Sequence, residues 1–181
     1  MSRFIAVILI TILCLGLLTG CSLLSGLSAN ARLSDTVLFS IDYPGAGYGT
    51  RAMCADGEAF VHRDGSIHVW MPDASFEKDV EIAVFQMTPE DYAALAAFAS
   101  PWKIASLWVR DSYGVTDGSS WYIRLYRDGD NGPELLLRKG GYMPRGRGFT
   151  EMYDGIRQRL DEYGVGDAVD EWRDGLMEGE K

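Results

Sequence analysis

Hydrophobic residues come at every second position in the first structured part of the chain, which begins at Thr36. The apolar positions are Val37, Phe39, Ile41 and Tyr43. Successive side chains of a strand point to opposite faces, so this period predicts a strand with one buried face. Proline and glycine between 44 and 49 favour a turn, which ends the strand after Tyr43.

A hairpin is predicted around Asp64-Gly65, because this dipeptide accommodates the positive φ angles that a tight turn requires. Its two strands are expected over 58–63 and 66–71. Another strand is predicted within 76–87, which contains Val80, Ile82 and Val84 at every second position, followed by Phe85.

Two segments have the signals of helices. Thr88 is placed to cap a helix that has proline at its first position and Glu90 and Asp91 in its first turn. Ser100-Pro101 is expected to end it. A longer helix is predicted from Phe149 to a cap at Gly164. Its apolar residues keep helical spacing: Phe149, Met152, Tyr153, Ile156, Leu160 and Tyr163.

Between these helices, alternation predicts two strands, over 121–126 and 134–139, joined by a polar turn over 127–133. The run 128–132 is similar to a calcium loop, but it is too short for the twelve-residue pattern and lacks the closing glutamate. It is interpreted as a solvated hairpin turn. The acidic segment 165–181 is expected either to fray or to form a short helix that docks Trp172.

The order strands, helix, strands, helix predicts the fold class. Hairpin signals without regular strand–helix alternation are typical of an α+β domain with a mainly antiparallel sheet, here with two principal helices over 36–164.

The start of the chain has a different character. Arg3 precedes an uncharged apolar run from Phe4 to Leu18, which at 15 residues is shorter than a bilayer span. A charged start, a short apolar core and small residues before a cleavage point are typical of a secretory signal, predicted over 1–20. The small and polar residues that follow predict a tether over 21–35.

The four residues that close this run, Leu18, Thr19, Gly20 and Cys21, resemble the lipobox of bacterial lipoproteins. The resemblance implies cleavage before Cys21 and acyl chains, palmitate among them, on its thiol and amino group, which anchor the protein to a membrane of the cell envelope. In Gram-negative lipoproteins a serine after the cysteine, here Ser22, usually permits transfer to the outer membrane, facing the periplasm.

Charge narrows the range of partners. The formal net charge is −9, and removal of a signal that carries only Arg3 makes it −10. This balance argues against non-specific binding of nucleic acid and against attraction to anionic lipid headgroups. Basic proteins and cationic ligands remain as partners. The 161 residues after the signal can bury a sufficient core without a disulfide or a metal ion.

The remaining thiol and the two histidines are weak candidates for chemistry. Cys54 is alone once Cys14 and Cys21 are accounted for, so it is expected to be buried, with pairing between two chains as the alternative. A two-residue turn at Asp64-Gly65 would place His62 and His68 on opposite faces, whereas a three-residue loop of residues 64–66 would set them opposite each other. Even two adjacent imidazoles supply half of a zinc site, and neither a metal nor a cofactor is predicted.

One cationic segment stands out in the acidic chain, just before the long predicted helix. Its four cations are Arg138, Lys139, Arg145 and Arg147, interleaved with glycine. Backbone N–H groups before a helix and arginine guanidinium groups bind phosphate or carboxylate. The segment is a candidate for binding an anion or a partner, and the alternative is that these cations pair with the protein's own carboxylates.

The sequence contains no nucleophile elbow, and no pair of carboxylates has a distinctive spacing. No catalytic residue is therefore predicted. The body is interpreted as a non-enzymatic binding or structural domain, with an envelope protein or peptidoglycan as its partner. The alternatives are an inhibitor or immunity-type protein that captures a cationic hydrolase, and an envelope hydrolase.

Overall fold

Six strands form one sheet in which every neighbouring pair is antiparallel. The structure is a computed structural model, and it describes residues 32–111 and 118–179. In chain order the strands are β1 Val37–Tyr43, β2 Gly57–His62, β3 Ser66–Pro72, β4 Asp79–Gln86, β5 Ser120–Gly129 and β6 Gly132–Tyr142.

Four helices accompany the sheet in the described ranges, which confirms the predicted α+β domain. They are α1 Pro89–Phe98, α2 Pro101–Ser106, α3 Phe149–Asp161 and α4 Val165–Gly179. The side chain of Thr88 accepts a hydrogen bond from Asp91 N, as predicted for the cap of α1. Gly164, beyond the end of α3, has a φ of +89°, the left-handed conformation that a C-terminal glycine allows.

The strand order is β4-β3-β2-β1-β5-β6. The first four strands form a meander. The chain then passes through α1 and α2 and returns on the other side of β1, which therefore lies in the interior of the sheet. All seven residues of β1 are buried. The prediction of one buried face was wrong for β1, because Ser40 and Asp42 on its other face are also buried, among side chains of the neighbouring strands.

A bulge in β1 also changes which residues share a face. Val37 pairs with His62 and Phe39 with Val61, so Leu38 is an extra residue against β2. The bulge reverses the predicted alternation at this point. Val37 consequently lines the face opposite to that of Phe39.

The helices pack on one face of the sheet, where the hydrophobic core lies. This face contributes apolar side chains from all six strands, among them Phe39, Ile41, Val61, Ile67, Phe85, Ile123 and Leu137. Against them pack Leu95 of α1, Ile104 of α2 and the buried stripe of α3, which consists of Phe149, Tyr153, Ile156 and Leu160. The opposite face of the sheet, which we call the open face, carries the candidate functional site.

Three elements differ from the sequence-based expectation. Pro101 begins the short helix α2, which was not predicted. The segment predicted as a polar turn over 127–133 is mostly strand, because β5 and β6 pair as far as Gly129 and Gly132. The C-terminal segment forms a helix that docks Trp172, which was one of the two alternatives, but at 15 residues the helix is not short. Val165 and Val169 are buried, and the Trp172 indole donates to Pro72 O over 3.0 Å.

Candidate functional site

A groove of about 600 Å³ runs across the open face. Strands from both halves of the sheet contribute to its walls. Its lining contains four carboxylates and one guanidinium, together with three aromatic side chains and both histidines: Asp42, Asp56, Glu58, Asp79, Arg124, Phe60, Trp70, Tyr122, His62 and His68.

The pairing of neighbouring strands places four residues, one from each of β1 to β4, side by side across the sheet. Asp42 of β1 is paired with Glu58 of β2, Glu58 with Trp70 of β3, and Trp70 with Glu81 of β4. Directly paired residues of antiparallel strands project from the same face. We call these four residues the carboxylate row. Trp70, which is 36% exposed, thus lies between two glutamates on its neighbouring strands.

Arg124 of β5 binds the two carboxylates at the buried end of this row, Asp42 and Glu58. Its Nη1 donates to Asp42 Oδ1 and, over 3.0 Å, to Glu58 Oε1. Ser40 and the Tyr126 hydroxyl, which lie 2.9 Å apart, both donate to the same glutamate oxygen. The five side chains form one hydrogen-bonded network. No buried side-chain nitrogen or oxygen atom of the described residues lacks a hydrogen-bond partner.

The pKa of the Asp42 carboxyl is raised to about 6, chiefly because burial disfavours its charged form, while Arg124 acts in the opposite direction. Burial also raises the pKa of the Tyr126 phenol, and the nearby Glu58 adds to this effect. Tyr126 therefore stays a neutral donor. At neutral pH the network contains a buried carboxylate that depends on Arg124 for its counter-charge.

The two histidines lie together on the open face, with ring centroids 4.3 Å apart. Neither predicted register is observed. Val61 pairs with Ile67, so the loop consists of residues 63–65, and His62 lies diagonally from His68. Nδ1 of His68 is 2.6 Å from Glu81 Oε2, while burial and then the neighbouring His68 lower the pKa of His62. In the part of the chain that the structure describes, no group of three or more His, Cys, Asp or Glu residues could hold a metal ion.

The four predicted cationic residues do not act as one cluster in the fold. Arg138 lies on the open face, with its guanidinium 4.5 Å from the Tyr122 ring centroid. Lys139, the next residue of β6, points to the helix side, where its Nζ donates to Leu107 O over 3.0 Å and burial lowers its pKa. Arg145 and Arg147 are exposed beyond the end of β6.

Two other sequence-based predictions concern cysteines. Cys54 is exposed, so the expectation that it is buried was wrong. It lies in the turn-rich segment between β1 and β2, where Ala52 and Ala55 on either side fill the buried positions. Cys21 and the other lipobox residues lie outside the described residues. None of the described helices has the length and hydrophobicity that crossing a bilayer requires.

The sequence analysis did not identify the carboxylate row. Each of its members occupies an ordinary polar or aromatic position of a strand, and single acidic residues on strands usually belong to a solvated face. Asp42 did offer one signal. It is an acidic residue within a strand of mostly large apolar residues, and a carboxylate that is buried there needs a partner. The partner itself, 82 positions away, could not be identified.

Comparisons with protein-family models, with curated proteins and with solved structures found no match to this chain. The arguments below therefore use the chemistry of the groove and of the chain itself.

Proposed function

We propose that this protein is a lipid-anchored binding protein of the bacterial cell envelope, whose open face holds a cationic group of its ligand. The proposal of a cationic ligand is based on the position of Trp70 between Glu58 and Glu81. An ammonium or guanidinium group over an indole face is attracted by the ring, and the flanking carboxylates add their charge to this attraction.

The charge of the groove supports a cation in preference to an anion. Its lining carries four carboxylates against one guanidinium. Arg124 already donates to Asp42 and Glu58, and its guanidinium also lies 5.3 Å from the Tyr122 ring centroid. Glu81, Asp56 and Asp79 retain exposed surface for a ligand. Since Asp42 and Glu58 are held in a structural network, we propose binding and not catalysis.

Lipid anchoring gives the first prediction. The change Cys21→Ala is expected to abolish incorporation of labelled fatty acid and to leave the chain uncleaved at the lipobox, because the thiol is the site of acylation. The wild-type protein is expected to stay with membranes after a high-salt wash, since several acyl chains anchor stably where one does not. Cys54→Ala is the matched control and should label normally. Unchanged labelling of the Cys21 variant would overturn the assignment.

The groove gives a second prediction. Binding of N-acetyl-lysine amide, measured by isothermal titration calorimetry, is expected to weaken about tenfold in Trp70→Leu, because a cation–π contact contributes about 0.5–2 kcal/mol. Glu81→Gln should weaken binding as well, since it removes a charge and keeps the shape. N-acetyl-norleucine amide, which has a similar chain length and no charge, should not compete.

Glu134→Gln is the control for the groove variants, because it removes an exposed carboxylate that pairs with Arg127 at the far end of the sheet. Its affinity for the lysine derivative should equal that of the wild type. Equal binding of the charged and uncharged probes would contradict a cation site.

A second candidate function is the capture of a cationic hydrolase by an inhibitor or immunity-type protein. The carboxylate row favours this candidate, because it would receive a lysine or arginine side chain of a basic enzyme. Crosslinking in the envelope, followed by identification of the captured protein, tests it. A basic hydrolase that the wild type captures and Glu81→Gln does not capture would support inhibition. Equal capture by both proteins would exclude the groove as the surface that binds the hydrolase.

A further inference from the structure

Two segments that are distant in sequence form one exposed corner of the domain. The backbones of Arg110 and Arg145 exchange two hydrogen bonds, each of 2.9 Å. Gly146 packs against Trp108 so closely that a Cβ at this position would lie 2.0 Å from Trp108 O. The contact therefore requires glycine, and it keeps the two segments in register. We call Trp108, Arg110, Arg145 and Arg147 the basic corner.

The side chains of the basic corner face solvent. Trp108 is 61% exposed, and the Arg110 guanidinium lies 5.6 Å from the centroid of its ring. Among residues 32–111 and 118–179, no carboxylate forms an ion pair with Arg110, Arg145 or Arg147. The nearby Asp111 carboxylate accepts a hydrogen bond from Tyr142 N over 3.0 Å. The corner thus combines an exposed indole with three guanidinium groups that form no ion pair with any described carboxylate.

We propose that the basic corner rests on a bilayer surface that carries anionic phosphate headgroups, an inference that relies on the lipid anchoring proposed above but not on the groove ligand. Tryptophan is enriched at the headgroup level of membranes, where its ring meets both apolar and polar surroundings. Arginine binds phosphate through two parallel hydrogen bonds.

The net charge of the chain does not oppose this contact. Charges are screened over about 10 Å at an ionic strength of 0.1 M, so a surface responds mainly to the groups that face it. The sequence-based argument against attraction to anionic headgroups used the net charge of the whole chain. In the structure, Arg110 lies beside Arg145, with Arg147 two residues further along the chain.

The tether is long enough for the corner to reach the membrane. The described chain starts beside the β5–β6 turn, where Ser34 Oγ donates to Asp128 over 2.7 Å. Asp128 pairs with Pro133 of β6, and Tyr142 at the end of β6 lies nine residues further along that strand. At about 3.3 Å per strand residue, this distance is about 30 Å. Residues 22–31 span up to about 35 Å when extended. An anchor at Cys21 and contact at the basic corner are therefore compatible.

The test uses the full-length acylated protein reconstituted in vesicles whose phospholipids carry bromine on their acyl chains. Bromine quenches tryptophan only at close range. Wild-type fluorescence is expected to be quenched on vesicles that contain phosphatidylglycerol, and much less on phosphatidylcholine alone or at high salt. In the triple variant Arg110→Ala/Arg145→Ala/Arg147→Ala, the corner's affinity for the surface is expected to fall about a hundredfold, and quenching with it.

The matched control is Arg32→Ala/Arg51→Ala/Arg127→Ala, which removes the same charge from exposed arginines outside the corner. It should be quenched like the wild type. The variant Trp108→Phe identifies the reporter, because quenching that comes from the corner must decrease when this indole is removed. Thermal melting of each variant confirms that the domain is folded.

Three results would overturn the proposal: no difference between anionic and zwitterionic vesicles, equal quenching in the two triple variants, or quenching that persists in Trp108→Phe. Mass spectrometry of the Cys21 peptide on the same preparation separates the two proposals. An acylated protein without quenching refutes the corner alone. An unmodified Cys21 refutes the proposed lipid anchoring. In that case the basic corner is still tested, because salt-dependent quenching of the wild type and its loss in the triple variant support contact between the corner and the membrane.

Discussion

Replacing Arg124 by Met is expected to lower the free energy of unfolding by about 3 to 5 kcal/mol at neutral pH. The guanidinium is the only counter-charge that donates to Asp42 and Glu58 in the described network, and the Asp42 side chain is only 10% exposed. Removing one partner of a buried pair leaves the other charge without compensation, whereas methionine fills a similar volume. Urea denaturation of the two proteins measures the difference.

The control for this variant is Arg127→Met, on the same strand. Arg127 forms an exposed pair with Glu134, and such pairs contribute about 0 to 1 kcal/mol. The loss in Arg124→Met should also be smaller in acid, because protonated Asp42 needs no counter-charge. A loss below about 1 kcal/mol, or one that does not change with pH, would mean that solvent reaches the network and screens it.

The second large effect is expected for Asp42→Asn. The pKa of Asp42 is raised from 3.8 in the unfolded chain to about 6 in the fold, so the folded state favours its protonated form. This contribution to stability is fully present below about pH 4 and is lost as the pH rises through about 6. The difference between the two pKa values corresponds to about 3 kcal/mol.

Asparagine keeps the size of the side chain and carries no charge at any pH. The free energy of unfolding of Asp42→Asn, minus that of the wild type, should therefore increase by about 2.4 kcal/mol between about pH 4 and pH 7, since part of the full difference lies below pH 4. Other titrating groups contribute equally to the pH dependence of both proteins, so their effect cancels in this difference. One of them is His62, whose lowered pKa makes stability rise with pH and not fall. A flat difference would show that Asp42 ionises normally in the fold.

Much of the fold was predictable because local signals and tertiary structure agree. The cap at Thr88, the helix from Phe149 and the hairpin at Asp64-Gly65 each depend on residues that are adjacent or one turn apart. The burial of both faces of β1 was not predictable in this way. It depends on β5 joining β1 on the side away from β2, about 80 residues later in the chain.

The candidate site depends even more on long-range register. Trp70 could be assigned to a strand, but its position between Glu58 and Glu81 requires the pairing of three strands and the bulge between Val69 and Trp70. The exposure of Cys54 and the length of the C-terminal helix were likewise decided by packing, which no local pattern records.

The sequence by itself determined the α+β class and the order of most elements, since these follow from periodicity and caps, and a short contiguous motif predicts a lipoprotein-like start. Only the tertiary structure decided that Asp42 shares Arg124 with Glu58, and that Arg138 and Lys139 face opposite sides of the sheet. It also brought Arg110 beside Arg145. The physical reason is that charges interact through space over a few ångströms, and strand pairing, not sequence distance, sets which charges come that close.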